Sequence, residues 1–446
     1  MKLGSPLTFF RRRRLAAPLA LALLTGCVTN PITGNRQFSI VGKSQLVSLA
    51  REAVPAQFSS DYGVVDDAQA NAYVSQIGRK LVATLTPADV VFPDMPFTFQ
   101  VVNAVYVNAY AFPDGTIAVT RGMLAELENE AQLAAVLGHE IAHVNCGHTA
   151  SAMSRSMVYS ALIAGAQGYL ASKGSKWTDL AGTAGQLGGA VVLASYSRAQ
   201  ERQADQGGMQ YMVRAGYDPQ GMVELSELLV KLSGSNPSAL ERMFSTHPMS
   251  TERLQAARTR ASALQAGGQQ GVVNREAFLS ATAGIRKNKP AIQKFAEAEK
   301  LLASKKSGAA RAAAEQGLVL APNDYVGLML VAQANQQTGQ AAAARQAAQL
   351  ASRVNPAGAR AHGVLSQCAL LDRDYSGALA HLNQYERLVP GDASTLFFKG
   401  LAFEGQGRQR DAAAAYDAYL RRAGTESNQG QYALRRLQAY TSPPRP

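Results

Sequence analysis

Two histidines flanking a glutamate, His139-Glu140-Ile141-Ala142-His143, are the residues whose types and spacing most directly imply chemistry. They sit in a run from Leu124 to Val144 whose apolar positions, Leu127, Ala131, Ala134, Ala135, Leu137, Ile141 and Val144, recur at helical spacing. Residues four apart on a helix return to nearly the same face. His139 and His143 can therefore offer two imidazole nitrogens to one metal ion, while Glu140 reaches the water beside it. With six histidines in 446 residues, coincidence is a poor explanation. The chemistry that fits is metal-assisted hydrolysis: zinc brings the pKa of water towards neutrality and polarises a carbonyl, and Glu140 moves the proton to the leaving amine.

A catalytic zinc needs a third protein ligand and an open position. Tyr196 to Met212 supplies a candidate, because Glu201 and Asp205 lie four apart. On one helix face, Glu201 would ligate the metal while Asp205 holds a histidine through its other ring nitrogen. His148 tests a different ligand set. A third histidine in HExxHxxGxxH fashion would stand at 149, and one residue fewer is about 100° of helix rotation. His148 is thus expected to point away from the pair, as a helix-end or surface histidine suited to the C-terminal dipole. His247, in Ser245-Thr246-His247-Pro248, has three readings: a core or surface histidine, a donor to a tetrahedral oxyanion, or a fourth zinc ligand that keeps the site latent. Arg253 would either hold that loop or meet developing negative charge.

The elements that must position these groups are mostly helical. Ser44 to Glu52 and Asp66 to Thr84 read as amphipathic helices, and Phe97 to Val102 alternates as a strand. Val107 to Phe112, the turn Pro113-Asp114-Gly115, and Thr116 to Val119 spell a hairpin just before the metal helix. It is either plain structure or an exposed edge that pairs with an extended peptide. Residues 157 to 195 are rich in Ala, Gly, Leu and Val but hold no run long enough to span a bilayer, so buried or membrane-facing helices are expected there.

The motifs HExxH, Tyr-Ser-Arg-x-Gln-Glu-x-x-Ala-Asp and Ala215-Gly216-Tyr217-Asp218-Pro219 together resemble metallopeptidase family forty-eight, a gluzincin family. Asn108-Ala109-Tyr110-Ala111 with Pro113-Asp114-Gly115 is similar to that family's NAxAxPGG hairpin, with Asp114 in place of a glycine. The likeness spans about 35 to 260. It implies His139, His143 and Glu201 as zinc ligands, one zinc per chain, Glu140 as general base, Asp205 in support, and Asn108, Ala109, Tyr110 and Ala111 as the substrate edge. Through the family's periplasmic, repeat-bearing members it implies quality control of misfolded or misassembled outer-membrane proteins, together with contacts to their assembly machinery. A non-proteolytic scaffold with a silent zinc site is the competing expectation.

Beyond Gly267-Gly268-Gln269-Gln270-Gly271 the chain repeats. Pro322, Pro356 and Pro390 are spaced by 34, as are Ala310, Ala344, Ala378 and Ala412. Small residues at helix crossings with proline before each new helix is the tetratricopeptide pattern, and such helix pairs stack into a solenoid with a concave surface. His362 and His381 fall within it as packing or surface residues. The fold class is accordingly mainly α with a small β-hairpin or sheet, a gluzincin domain followed by an α-solenoid.

The formal charge of +12 falls to +7 once Lys2 and Arg11 to Arg14 are set aside, and no basic run interleaved with aromatics follows, so nucleic acid is not an expected partner. Those five cations precede an apolar Leu15 to Leu24 and then Leu24-Thr25-Gly26-Cys27. The tetrad resembles the lipobox of bacterial lipoproteins, which implies acylation of Cys27 and, with Val28 rather than aspartate next, delivery to the outer membrane; paired acyl chains suffice for anchoring. Cys146 and Cys368 are then expected as buried thiols. The segments are a signal peptide at 1–26, a tether at 27–43, the protease at 44–265, a linker at 266–289 and the repeats at 290–440.

Overall fold

The computed structural model describes residues 27–158, 195–235 and 240–441. The expected signal peptide and most of the 157–195 stretch lie outside the described residues.

A three-stranded sheet organises the first half. Strands β3 (Thr98–Val102) and β5 (Thr116–Thr120) run parallel, and β4 (Ala109–Ala111) pairs antiparallel with β5, giving the order β3-β5-β4. The expected hairpin is therefore present, with Gly115 at a φ of +91 in its turn. Side chains alternate across the sheet. Phe99, Val101, Ala109, Ala111, Ile117 and Val119 join the main core, whereas Val102, Tyr110, Phe112 and Ala118 pack under helix α1 (Lys43–Ser60). Helix α2 (Ala68–Val82) covers the main-core face with Val74, Ile77 and Leu81.

The run read as one helix from Leu124 is two: α3 (Arg121–Glu126) and α4 (Glu130–Asn145). The break is local chemistry, since the Asn129 side chain accepts from the Gln132 N–H and caps the new helix. Helix α5 (Arg198–Arg214) then crosses α4 at very close range. A Cβ on Gly208 would sit 2.7 Å from the His139 nitrogen, so glycine is required for the two backbones to meet there. Helices α6 (Gln220–Ser235), α7 (Glu241–Thr246) and α8 (Thr251–Ala266) complete this half.

Both expected connectors are built structure. Residues 27–38 form a hairpin of β1 (Cys27–Thr29) and β2 (Arg36–Phe38), with Asn30 buried against the body, rather than a free tether. Polar turn residues suggested solvent; here their amides are used as internal hydrogen-bonding groups. Residues 266–289 contain α9 (Arg275–Ala281) and α10 (Ala283–Lys287), and Phe278 and Ile285 are buried. Gly271 is no linker glycine: a Cβ on it would meet the Tyr217 carbonyl carbon at 2.1 Å.

From α11 (Lys289–Ala303) the chain continues as tandem helices of 13 to 15 residues: α12 (Ser307–Leu320), α13 (Tyr325–Gln337), α14 (Ala341–Val354), α15 (Ala359–Leu371), α16 (Tyr375–Leu388), α17 (Ala393–Gly405), α18 (Gln409–Ala423) and α19 (Asn428–Thr441). The second helices of successive pairs begin at Ser307, Ala341, Tyr375 and Gln409, 34 residues apart. Ala310, Ala344, Ala378 and Ala412 are fully buried, as a close helix crossing demands. The repeats dock directly on the first half. Arg121 makes a bidentate pair with Asp324 at 2.7 and 3.1 Å, and Lys289 reaches Glu126 at 2.9 Å.

Candidate metal centre

Helix α4 carries His139, Glu140 and His143 on its buried length. Helix α5 carries Glu201 and Asp205, and Ser197 and Gln200 cap it reciprocally. The glycine crossing brings the two sets face to face. The Nε2 atoms of His139 and His143 are 3.0 Å apart. Glu201 Oε1 lies 3.3 Å from His143 Nε2, and Glu201 Oε2 lies 3.6 Å from His139 Nε2. His247, at the end of α7, adds Nδ1 at 3.3 Å from His139 Nε2 and 3.1 Å from Glu201 Oε1. The four donors are buried and lie within 4.8 Å of one another. Bonds of about 2.0–2.2 Å to nitrogen and oxygen place tetrahedral ligands roughly 3.3 Å apart, so this set fits zinc.

The support is equally specific. His139 Nδ1–H donates to Asp205 Oδ1 at 3.0 Å, which leaves its Nε2 lone pair free for a metal. Arg253 donates to both Asp205 oxygens at 2.7 Å, pairs with Glu201 Oε2 at 2.7 Å, and donates to the Pro248 carbonyl at 2.9 Å. Of the two roles expected for Arg253, these contacts accord with holding the loop: its guanidinium is engaged by two carboxylates and the Pro248 carbonyl.

Charge follows from these contacts. Burial alone would raise Glu201, but the charge of His247 and hydrogen bonds from His143 and His247 hold its carboxyl far below the usual range. Burial likewise opposes ionisation of Asp205, and the Arg253 guanidinium outweighs it. Burial holds His143 well below the ordinary histidine value, in the neutral form that a ligand needs. Glu140 is pushed up by burial, and its Oε2 has no hydrogen-bond partner. A buried, orphaned carboxylate oxygen beside four metal donors is where a water on the metal belongs. A cavity of about 30 Å³ adjoins it, lined by Ala109, His139, Glu140 and the apolar Met222, Leu225 and Met243. That is room for a water.

Two residues near the centre were misread or missed. His148 is not a surface histidine: it is fully buried, with Nδ1 at 2.8 Å from His143 Nδ1. The chain turns at 146–147, where Gly147 takes a φ of +62, before helical backbone resumes at 148, so helical rotation did not apply. Tyr196 stacks on the His143 ring at 3.8 Å between centroids. An aromatic next to the ExxxD helix was the available signal, but stacking is a tertiary contact. Asn108 to Ala111 lie in and beside β4 at the edge of the three-stranded sheet, and all four are buried, where the edge reading expected exposure.

Residues 62–261 match the model of peptidase family M48. The chain is 32% identical over 212 residues to the Beta-barrel assembly-enhancing protease of Yersinia pestis, covering 47% of this chain and 42% of that one. It is 29% identical over 266 residues to the Escherichia coli protein of the same name, covering 57% and 53%. Metalloprotease YcaL of Escherichia coli is 28% identical over 250 residues, 55% of this chain and 95% of its own length. The chain spans about half the length of the first two relatives. Among the described residues no helix is long and apolar enough to cross a membrane. The matched region encloses every donor of the centre, so residues 62–261 are similar to the metallopeptidase domain of family M48 and carry a donor set that fits zinc.

Proposed function

We propose that the protein is a zinc-dependent endopeptidase that cleaves misfolded or misassembled outer-membrane proteins on the periplasmic face of the outer membrane, held there by acylated Cys27. The observation that carries the reading is the unpartnered Oε2 of Glu140 beside a buried donor set of His139, His143, Glu201 and His247. A purely structural site has no use for a general base at that position. The names of the two barrel-assembly relatives support the substrate class.

In this reading zinc, when bound, supplies an acidified water and a Lewis acid for the scissile carbonyl. Glu140 accepts the proton and delivers it to the departing amine. Asp205 and Arg253 keep His139 and Glu201 in place. The substrate backbone pairs with β4: Phe112 N–H bonds to Thr116 and Thr120 N–H to Asn108, so the alternation leaves Ala109 and Ala111 facing the outer edge. Pairing through the backbone suits unfolded chains of any sequence. The repeats, with their tetratricopeptide spacing, offer the surface on which a client or its assembly machinery docks.

His247 favours the latch among its three readings, because its Nδ1 occupies donor spacing with His139 and Glu201. The scaffold alternative is the second reading, and the presence of four protein donors, the count of a structural zinc site, is what favours it. The test is cleavage of an unfolded outer-membrane β-barrel protein by the full chain, with and without chelator. Chelator-sensitive cutting abolished by Glu140→Gln and accelerated by His247→Ala is expected. Absence of cutting by every form with zinc still bound would select the scaffold.

A further inference from the structure

Among the described residues, no carboxylate stands behind the metal ligand His143. Its Nε2 faces the donor cluster, so in the ligating form the ring proton is on Nδ1. Among the described residues, the partner in reach of that proton is His148 Nδ1 at 2.8 Å. His148 must therefore accept at Nδ1 and carry its own proton on Nε2, which lies 2.9 Å from Gln203 Oε1. An amide oxygen accepts there, as the tautomer requires. The same oxygen accepts from Asn30 Nδ2 at 3.0 Å. Asn30 is 2% exposed, and its own oxygen accepts from the N–H groups of Ile32 and Thr33 at 3.0 Å each, which fixes the orientation of its amide. Gln37, on β2, donates to the Cys146 carbonyl beside the turn that delivers His148. Each group in the series has a single role left once its neighbour is assigned.

We infer that His148, Gln203 and Asn30 are positioning residues for zinc, a neutral relay that sets the tautomer and orientation of His143 and makes the N-terminal hairpin part of the metal centre. The inference rests on reading the cluster as a zinc site. Its chemistry differs from that behind His139, where a charged Asp205–Arg253 pair does the equivalent work. The relay ends three residues from Cys27, so the placement of the hairpin bears directly on the ligand.

The experiment measures zinc affinity of the full chain by competition with a chromophoric chelator, and the visible spectrum of the cobalt-substituted protein. His148→Ala is expected to weaken zinc about 10–100-fold, the usual effect of removing an outer partner of a ligand. His148→Asn, whose Oδ1 takes the place of Nδ1, should recover most of that loss and restore the cobalt spectrum, which lost packing alone would not do. Gln203→Leu and Asn30→Ala should weaken zinc in the same direction by successively smaller factors. If His148→Ala proves unfolded without metal, Gln203→Leu carries the test. Affinity within twofold of wild type for His148→Ala and Gln203→Leu, or His148→Asn no better than His148→Ala, overturns the relay. Zinc bound equally well by Glu201→Ala overturns the zinc reading itself, and the relay with it.

Discussion

The six histidines form two clusters in two halves of the molecule, and the clusters differ in what surrounds them. In the protease half His139, His143, His148 and His247 stand among Glu140, Glu201, Asp205 and Arg253. In the repeats His362 and His381 face each other across α15 and α16, with Nδ1 atoms 3.2 Å apart. The nitrogen spacing is nearly the same in both. What differs is the carboxylates, for the repeat pair senses Asp374 through its charge alone. A divalent cation in a buried site needs anionic ligands to offset its desolvation, and a neutral pair at close range needs only one shared proton. Close histidines alone do not make a metal centre.

The sharpest way to break this comparison is to remove the carboxylate ligand. Glu201→Ala should leave the protease cluster as histidines without an anion, and zinc measured by elemental analysis after gel filtration should fall from one per chain towards none. Glu140→Gln separates binding from chemistry: zinc content is expected to stay at one, while peptide hydrolysis falls about 10²–10⁴-fold, the usual contribution of a general base. Arg253→Ala leaves two buried carboxylates without their cation, which should cost about 3–5 kcal/mol in urea-unfolding free energy. Retained stability would mean those carboxylates are paired some other way. Substituting both His362 and His381 by Asn should not change zinc stoichiometry; a drop from two to one would make the repeat pair a metal site after all.

The smallest expected effect is on acid sensitivity. Burial holds both His362 and His381 below the ordinary value of 6.5, with each other's charge second for His362. Both are thus neutral in the folded chain, and the unfolded chain binds protons more readily. Their contribution is complete above 6.5 and is lost as pH falls below it. Both are only partly buried, so screening keeps the effect under about 1 kcal/mol. Urea midpoints should drop between pH 7.5 and 5.5, and His381→Asn should flatten that drop.

Much of this was legible in the chain. His139 and His143, four apart on a helix, must share a face wherever the helix lies, and Glu201 with Asp205 obeys the same geometry. The 34-residue period was visible because each repeat solves the same packing problem with an alanine at the crossing. The hairpin before α4 was visible because turn chemistry is local. Legibility failed where a residue's role depends on something distant in sequence. His148 was placed by extending a helix that in fact ends, and the turn at Cys146-Gly147 returns it to the pair. Residues 27–38 and 266–289 looked like connectors because amides and glycines are common in loops. Asn30 is buried because Gln203, 173 positions later, needs a donor. Gly271 is glycine because Tyr217 crosses it.

The sequence by itself determined the placement of His139, Glu140, His143 and Glu201, the hairpin and the 34-residue period, because each is encoded by residue type at fixed local spacing on a helix or in a turn. Only the tertiary structure decided that His247 joins the donor set, that Arg253 pairs with Glu201 and Asp205, and that Asn30 reaches Gln203 behind His148. Those outcomes depend on which backbones approach within hydrogen-bonding distance. The Gly138–Gly208 crossing of α4 and α5 sets that approach for Glu201 and Asp205, and no local pattern records it.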